Sequence, residues 1–175
     1  MNTVQWAYAD LAIDNVHLGD LTAAKDLFDR AASASQEIGD GAGEVLAGYG
    51  HGLLAQVLNR WSEARSRYAA AVTGFERLGT PVPMGVALAG LARCDEYDGD
   101  LATAGRRYEQ VLEIGRRLRE PALIASAIEG LARRSLSLGQ REEGAGLLLE
   151  AGEIRANSSR PAPPHEKRDV EASLR

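Results

Sequence analysis

The stretch "GLARCDEYDGDLATAGRRYEQVLE" spans residues 90–113, and "GLARRSLSLGQREEGAGLLLE" follows the same pattern over residues 130–150. Each contains a small residue one helical turn before a large one, and the two small residues, Ala104 and Gly144, lie 40 positions apart. Stepping back by the same interval reaches Ala64 and then Ala24. A fixed period of this length is typical of helical repeat proteins.

Other columns recur with the same period, which distinguishes a repeat from a coincidence. A Gly or Asn stands five residues before each small residue, where a helix can end in the left-handed conformation. We therefore predict two helices per repeat, the first ending at this column and the second, of about 17 residues, starting just after it. Small residues let the paired helices approach closely, and the large residue fills the gap beside them. The columns are Gly19, Asn59, Gly99 and Gly139; Phe28, Tyr68, Tyr108 and Leu148; Ala31, Ala71, Val111 and Ala151; and Ala12, Gly52, Ala92 and Ala132.

Composition supports an all-α fold and bounds the possible functions. Of the 175 residues, 45% are hydrophobic and only 5% aromatic, and Ala, Leu, Glu and Arg dominate, as in helices. The net charge of -5 argues against direct binding of nucleic acid, which normally needs a basic patch. The single Cys94 excludes an internal disulfide framework. Because neither a signal peptide nor a membrane-spanning stretch is apparent, we expect a cytoplasmic protein that does not contact a membrane.

Turn-forming residues divide the chain into four repeats and a tail. "GDGAG" at 39–43, "GTPVP" at 79–83 and "REPA" at 119–122 separate the repeats. We predict a repeat domain over residues 1–156, made of units 1–40, 41–80, 81–120 and 121–156. Residues 157–175 are predicted to be a proline-containing linker followed by a short C-terminal helix, either capping or mobile.

The spacing A-x-x-x-F/Y with Ala three residues later, preceded by Gly-Asp, resembles the tetratricopeptide repeat (TPR). Its clearest instances are "GDLTAAKDLFDRAA" at 19–32 and "GDLATAGRRYEQVL" at 99–112. The resemblance implies a right-handed superhelical solenoid of four helix-turn-helix repeats with a period of 40 residues. Armadillo and HEAT repeats have units of about this length but lack this spacing, and rank second.

The C-terminal part is similar to the ends of TPR arrays in bacterial transcriptional regulators of the maltose-activator-like and actinobacterial LuxR types. The similarity runs through "GQREEGAGLLLEAGEIR" at 139–155 and on to the proline-rich step and short helix. It implies an effector-sensing or partner-docking segment. The chain itself shows neither a phosphate-binding G-x-x-x-x-G-K-[ST] loop nor a helix-turn-helix motif.

In TPR arrays the first helix of each repeat forms most of the inner surface. The residues at the equivalent positions of this chain are therefore the candidate partner-binding residues. Arg93 and Arg133 occupy the same column in adjacent repeats, so together they are candidates to bind a carboxylate or phosphate; alternatively each pairs with Glu96 or Glu129. The full set of candidate groove residues is Trp6, Tyr49, Leu53, Arg93, Glu96, Tyr97, Glu129 and Arg133.

No set of residues predicts catalysis, a metal site or a cofactor. Cys94 is predicted to be a packed core thiol, the three histidines to be solvated or satisfied in the core, and the acids of "CDEYDGD" at 94–100 to form a solvated turn. Enzyme status stays open, with a non-enzyme favoured. The alternative hypothesis is a small-molecule-binding protein or an enzyme of secondary metabolism that uses the groove as a pocket.

The favoured prediction is a non-catalytic binding module for a protein or peptide partner, or for a small-molecule effector. The first helix is expected to present Trp6, Tyr8 and Leu11 without a preceding cap. That uncapped end predicts either a neighbouring domain or a homo-oligomer.

Overall fold

The structure is a computed structural model that describes residues 4–158. From residue 159 onward, the predicted linker and C-terminal helix lie outside the described residues. The contacts divide the chain into two compact units, Met1–Thr80 and Pro81–Arg175. Within residues 4–158 the secondary structure is entirely helical, which confirms the all-α prediction.

Within residues 4–158, each unit contains four helices packed as two sequential antiparallel pairs. The pairs in the first unit are α1 with α2 and α3 with α4, and in the second unit α5 with α6 and α7 with α8. The second helices begin at residues 21, 61, 101 and 141, at the 40-residue interval read from the sequence. The helices are α1 (Val4–Leu18), α2 (Leu21–Ile38), α3 (Gly41–Val57), α4 (Trp61–Arg77), α5 (Pro81–Tyr97), α6 (Leu101–Leu118), α7 (Pro121–Ser137) and α8 (Arg141–Ala156).

The turn inside each pair is left-handed at the predicted Gly or Asn column. The φ angles of Gly19, Asn59, Gly99 and Gly139 are 85°, 58°, 80° and 78°, so the predicted helix ends are confirmed. Between α6 and α7 the left-handed position is occupied by Arg119, with a φ of 56°. Its N–H donates to the carbonyl of Arg116, and the N–H of Glu120 donates to that of Gly115. An arginine thus holds a helix-ending conformation that favours glycine.

Replacing Arg119 with glycine is expected to increase the free energy of unfolding by about 1 kcal/mol, because a side chain in the left-handed region is strained and glycine is not. Urea unfolding followed by circular dichroism measures the change. The matched control is Arg117→Gly, two residues earlier in an exposed helical position, which is expected to lower stability by about 1 kcal/mol. A loss of stability in both variants would contradict the assignment of strain to residue 119.

The core of the first unit is built on close helix approaches at small residues. Ala12 and Ala24 are fully buried between α1 and α2, and Phe28 is fully buried beside them. The ring of Phe28 lies against Gly50 of α3, where any Cβ atom would overlap it. Tyr68 packs less closely against Gly52, with the nearest ring atom 3.1 Å from a hypothetical Cβ. These contacts confirm the predicted role of the small and aromatic columns in this unit.

The second unit repeats this arrangement and departs from it at its last pair. Ala92, Ala104 and Tyr108 form one buried cluster, and the Tyr108 ring lies against Gly130. In the last pair Gly144 is buried against Leu136, which a Cβ would approach to 2.6 Å. Leu148, at the aromatic position, is only half-buried. All four residues of this column are therefore hydrophobic, but only the three aromatic ones, Phe28, Tyr68 and Tyr108, are fully buried.

Candidate functional site

A cluster of charged side chains forms the most distinctive polar feature of the second unit. On α5, the Arg93 guanidinium donates to Glu96 Oε2 at 2.6 Å. From α7, Arg133 Nε donates to the same oxygen at 3.2 Å, and a second Arg133 nitrogen donates to the Tyr108 hydroxyl at 3.0 Å. Burial raises the pKa of Tyr108 above its ordinary value, so the phenol stays neutral. Three helices thus contribute to one connected network.

The two arginines predicted from their shared column converge on an internal carboxylate. This is the pairing alternative that the sequence left open, with Glu96 lying between Arg93 and Arg133. Two guanidinium groups against one carboxylate leave the three side chains with a net charge of +1. The Glu96 side chain is buried, whereas 24% of the Arg93 side chain is exposed. Arg93 is therefore the member of the cluster that solvent reaches most readily.

Glu129, the other candidate acid, is engaged by an arginine from the neighbouring helix. Arg155 of α8 donates two hydrogen bonds to the Glu129 carboxylate, at 2.6 and 2.8 Å. Both side chains are largely buried, and the paired geometry is the strong bidentate form. Arg155 was not among the predicted site residues. It lies 26 positions from Glu129 on another helix, so no local sequence pattern connects the two residues.

The prediction of a solvated turn at "CDEYDGD" is wrong for its first two acids. Asp95 is buried and ion-paired with Arg107 of α6, and Glu96 belongs to the cluster described above. The reason is that α5 continues to Tyr97, so that residues 95 and 96 still lie on a helix packed against α6 and α7. Asp98 and Asp100 are exposed as predicted, and Asp100 caps α6 by accepting from the N–H of Thr103.

In the first unit Trp6 is held against the turn between α2 and α3. Its indole N–H donates to Asp40 Oδ2 at 3.0 Å, and the Gln5 amide donates to the same oxygen at 2.9 Å. Asp40 also caps α3 by accepting from the N–H of Ala42. These hydrogen bonds, foremost that of Gln5, lower the pKa of Asp40 below its usual value. The sequence marked residues 39–43 as a turn but did not identify Asp40 as the partner of Trp6.

Tyr49 and Leu53, the other two candidates in the first unit, occupy different environments. Tyr49 is half-buried, with its ring tilted against Tyr68 at a centroid distance of 5.8 Å. Leu53 is buried in a core cluster with Phe28 and Leu54, so its side chain offers almost no surface for a partner. Trp6, Tyr49 and Leu53 thus contribute mainly to packing within their unit.

The accessible part of α5 forms a strip that contains the last candidate, Tyr97. Val86, Arg93 and Tyr97 lie on one helix face at intervals of seven and four residues, and 61% of Tyr97 is exposed. The half-buried Ala89 and Gly90 lie between Val86 and Arg93. We call Val86, Ala89, Gly90, Arg93 and Tyr97 together the α5 strip. It combines an aliphatic, a cationic and an aromatic side chain on a helix whose opposite face is buried.

The described residues contain no group of three or more His, Cys, Asp and Glu side chains placed to hold a metal ion. The Cys94 thiol is buried, as predicted. Burial lowers the pKa of His17 and His51, and His51 Nε2 lies 3.3 Å from Asp29. Across residues 4–158, every helix is too short or too polar to cross a membrane.

Comparisons with known proteins find a match in structure but not in sequence. The fold is similar to that of BtubC (BKLC) from P. vanneervenii, a TPR protein, with a TM-score of 0.69 and 20% sequence identity. The likeness covers 91% of this chain and 67% of the BtubC chain. No family model and no curated protein matches the sequence. At this identity the likeness shows the fold alone: an all-α arrangement of TPR-like helix pairs.

Proposed function

We propose that this chain is a non-catalytic protein-interaction module and that the α5 strip contacts an extended segment of a partner protein. The TPR-like fold supports a protein partner in general. The similarity of the C-terminal sequence to regulator arrays supports a setting within a bacterial transcriptional regulator, where partner binding or effector sensing is the role of such arrays.

The observation that carries the proposal is the position of Arg93 between Val86 and Tyr97. Arginine and aromatic side chains dominate binding energy at protein interfaces, especially when neighbouring apolar groups exclude water. The hydrogen bond to Glu96 holds the Arg93 guanidinium in place, which reduces the entropy lost when a partner binds. Because guanidinium groups bind carboxylates with charge-assisted hydrogen bonds, the expected partner segment presents a carboxylate near Arg93.

The pairing of the buried acids in the second unit favours binding over catalysis. The buried acids Asp95, Glu96 and Glu129 are each paired with an arginine. A general acid or base needs a group that can exchange a proton with a substrate, whereas these three carboxylates contact arginine side chains within the fold. The small-molecule and enzymatic alternative therefore gains no support from them.

The test is selection of binding peptides from a random library displayed on phage, followed by fluorescence anisotropy with the selected peptides. We expect enrichment of Asp, Glu or a free C-terminal carboxylate. Arg93→Ala and Tyr97→Ala are each expected to weaken binding about tenfold or more. The matched control is Arg106→Ala on the exposed face of α6, with the same change in charge and less than about a twofold effect expected.

Tyr97 lies at an exposed helix end, so loss of binding in Tyr97→Ala does not depend on damage to the buried cluster. Equal affinity of the Arg93, Tyr97 and Arg106 variants would overturn the assignment to the α5 strip. Failure to select any peptide above background would argue against an extended-segment partner.

A further inference from the structure

The outward face of α1 carries a stripe of three exposed aliphatic side chains. Val4, Leu11 and Leu18 are 62%, 50% and 82% exposed, and their spacing of seven residues places them on one side of the helix. The opposite side of α1 is packed: Ala9 and Ala12 are buried against α2 and α3. Three large aliphatic side chains are therefore accessible on one side of the helix. Trp6 and Tyr8, expected to share this exposure, are half-buried instead.

The surroundings of the stripe are acidic. Residues 1–40 contain seven acids and two bases, a net charge of -5 that equals the charge of the whole chain. Asp10 and Asp14 are exposed on α1 along one edge of the stripe, and Asp20 follows its end. Both bases belong to α2 and are engaged: Lys25 pairs with Asp29 at 2.6 Å, and Arg30 donates to the Tyr8 hydroxyl at 2.7 Å.

We propose that the outward face of α1 is a docking site for a basic amphipathic helix of a partner protein. The seven-residue spacing is the repeat by which one helix packs along another, with apolar side chains in the seam. Lysine or arginine residues flanking the partner's apolar stripe would face Asp10 and Asp14, which sets both orientation and partner choice. The site is separate from the α5 strip, so it adds a second contact to the proposed interaction module and is tested independently.

A second copy of this chain fits the face less well. Pairing α1 with its own counterpart would bring together four carboxylates from Asp10 and Asp14, with no base on either helix to compensate. Another candidate from a second copy is α8, where Leu149 is exposed. That helix also carries exposed acids, so it does not offer the positive surface that would complement α1. The exposed acids are Glu142, Glu143, Glu150 and Glu153.

The experiment uses the full chain and a synthetic three-heptad helix with leucine at the seam positions and lysine beside them. Isothermal titration at low salt is expected to show binding that weakens about tenfold or more in the Leu11→Ser variant. The matched control, Leu149→Ser, removes an exposed leucine from the acidic α8 and is expected to change affinity by less than twofold. A peptide with glutamate in place of lysine is expected not to bind. Because Leu11 is half exposed, the variant should retain the helical circular dichroism of the original chain.

Two results would overturn the proposal. Equal binding of the lysine peptide by Leu11→Ser and Leu149→Ser would mean that acidic charge alone attracts it. A dimer mass in light scattering that becomes monomeric in Leu11→Ser would assign the stripe to self-association. Because the Arg93 and Tyr97 variants leave α1 unchanged, failure here is distinguishable from failure at the α5 strip.

Discussion

Replacing Arg155 with methionine is expected to lower the free energy of unfolding by about 3 kcal/mol, because the variant leaves the Glu129 carboxylate buried without its cation. Methionine keeps much of the arginine's apolar volume, so the loss reports on the charge more than on packing. Amide hydrogen exchange in α7 and α8 measures the effect where the pair lies. Increased exchange is expected first in these two helices, which Glu129 and Arg155 join.

Removal of the unpaired Glu129 carboxylate is expected to rescue Arg155→Met. Adding Glu129→Leu to Arg155→Met removes the unpaired charge and is expected to restore stability to within about 1 kcal/mol of the original chain. Arg141→Met, at an exposed site in the same helix, is expected to change stability by less than about 0.5 kcal/mol. If Arg141→Met and Arg155→Met are equally destabilising, the buried pair does not hold α8 in place.

Replacing Gly50 with alanine is expected to lower the free energy of unfolding of the first unit by about 3 kcal/mol. The added Cβ would overlap the Phe28 ring, which is fully buried. Overpacking of this kind forces a backbone shift or an unfavourable rotamer. Both tryptophans, Trp6 and Trp61, lie in the first unit, so fluorescence during urea unfolding reports on the affected region.

The control lies two residues away in the same helix. A Cβ at Gly48 meets nothing within 4 Å, so Gly48→Ala keeps the packing and gains helix propensity. It is expected to raise stability by about 1 kcal/mol. A loss of stability in Gly50→Ala together with a gain in Gly48→Ala would show that the close approach of Gly50 to the Phe28 ring causes the loss. A loss in both variants would instead point to a general intolerance of α3.

The candidate site was only partly predictable from the sequence. The shared column of Arg93 and Arg133 placed these residues correctly near each other, since repeat position and helix face are local properties. The sequence left open that Arg133 contacts Glu96, 37 residues away, and that Glu129 pairs with Arg155, 26 residues away. Asp95 and Glu96 were predicted to lie in a solvated turn, because nothing in the sequence indicates that α6 and α7 cover α5 up to its last turn.

The repeat could be read from the amino-acid pattern alone: the period of 40 residues, the helix ends at Gly19, Asn59, Gly99 and Gly139, and the small and large columns that meet in the core. These features follow from backbone conformation and helix periodicity, which act over a few residues. The same pattern does not indicate which charges are buried and paired, which face of α1 is exposed, or which glycine lies against the Phe28 ring. Those depend on the rotation and spacing of helices packed side by side, and long side chains reach different partners when either changes by a few ångströms.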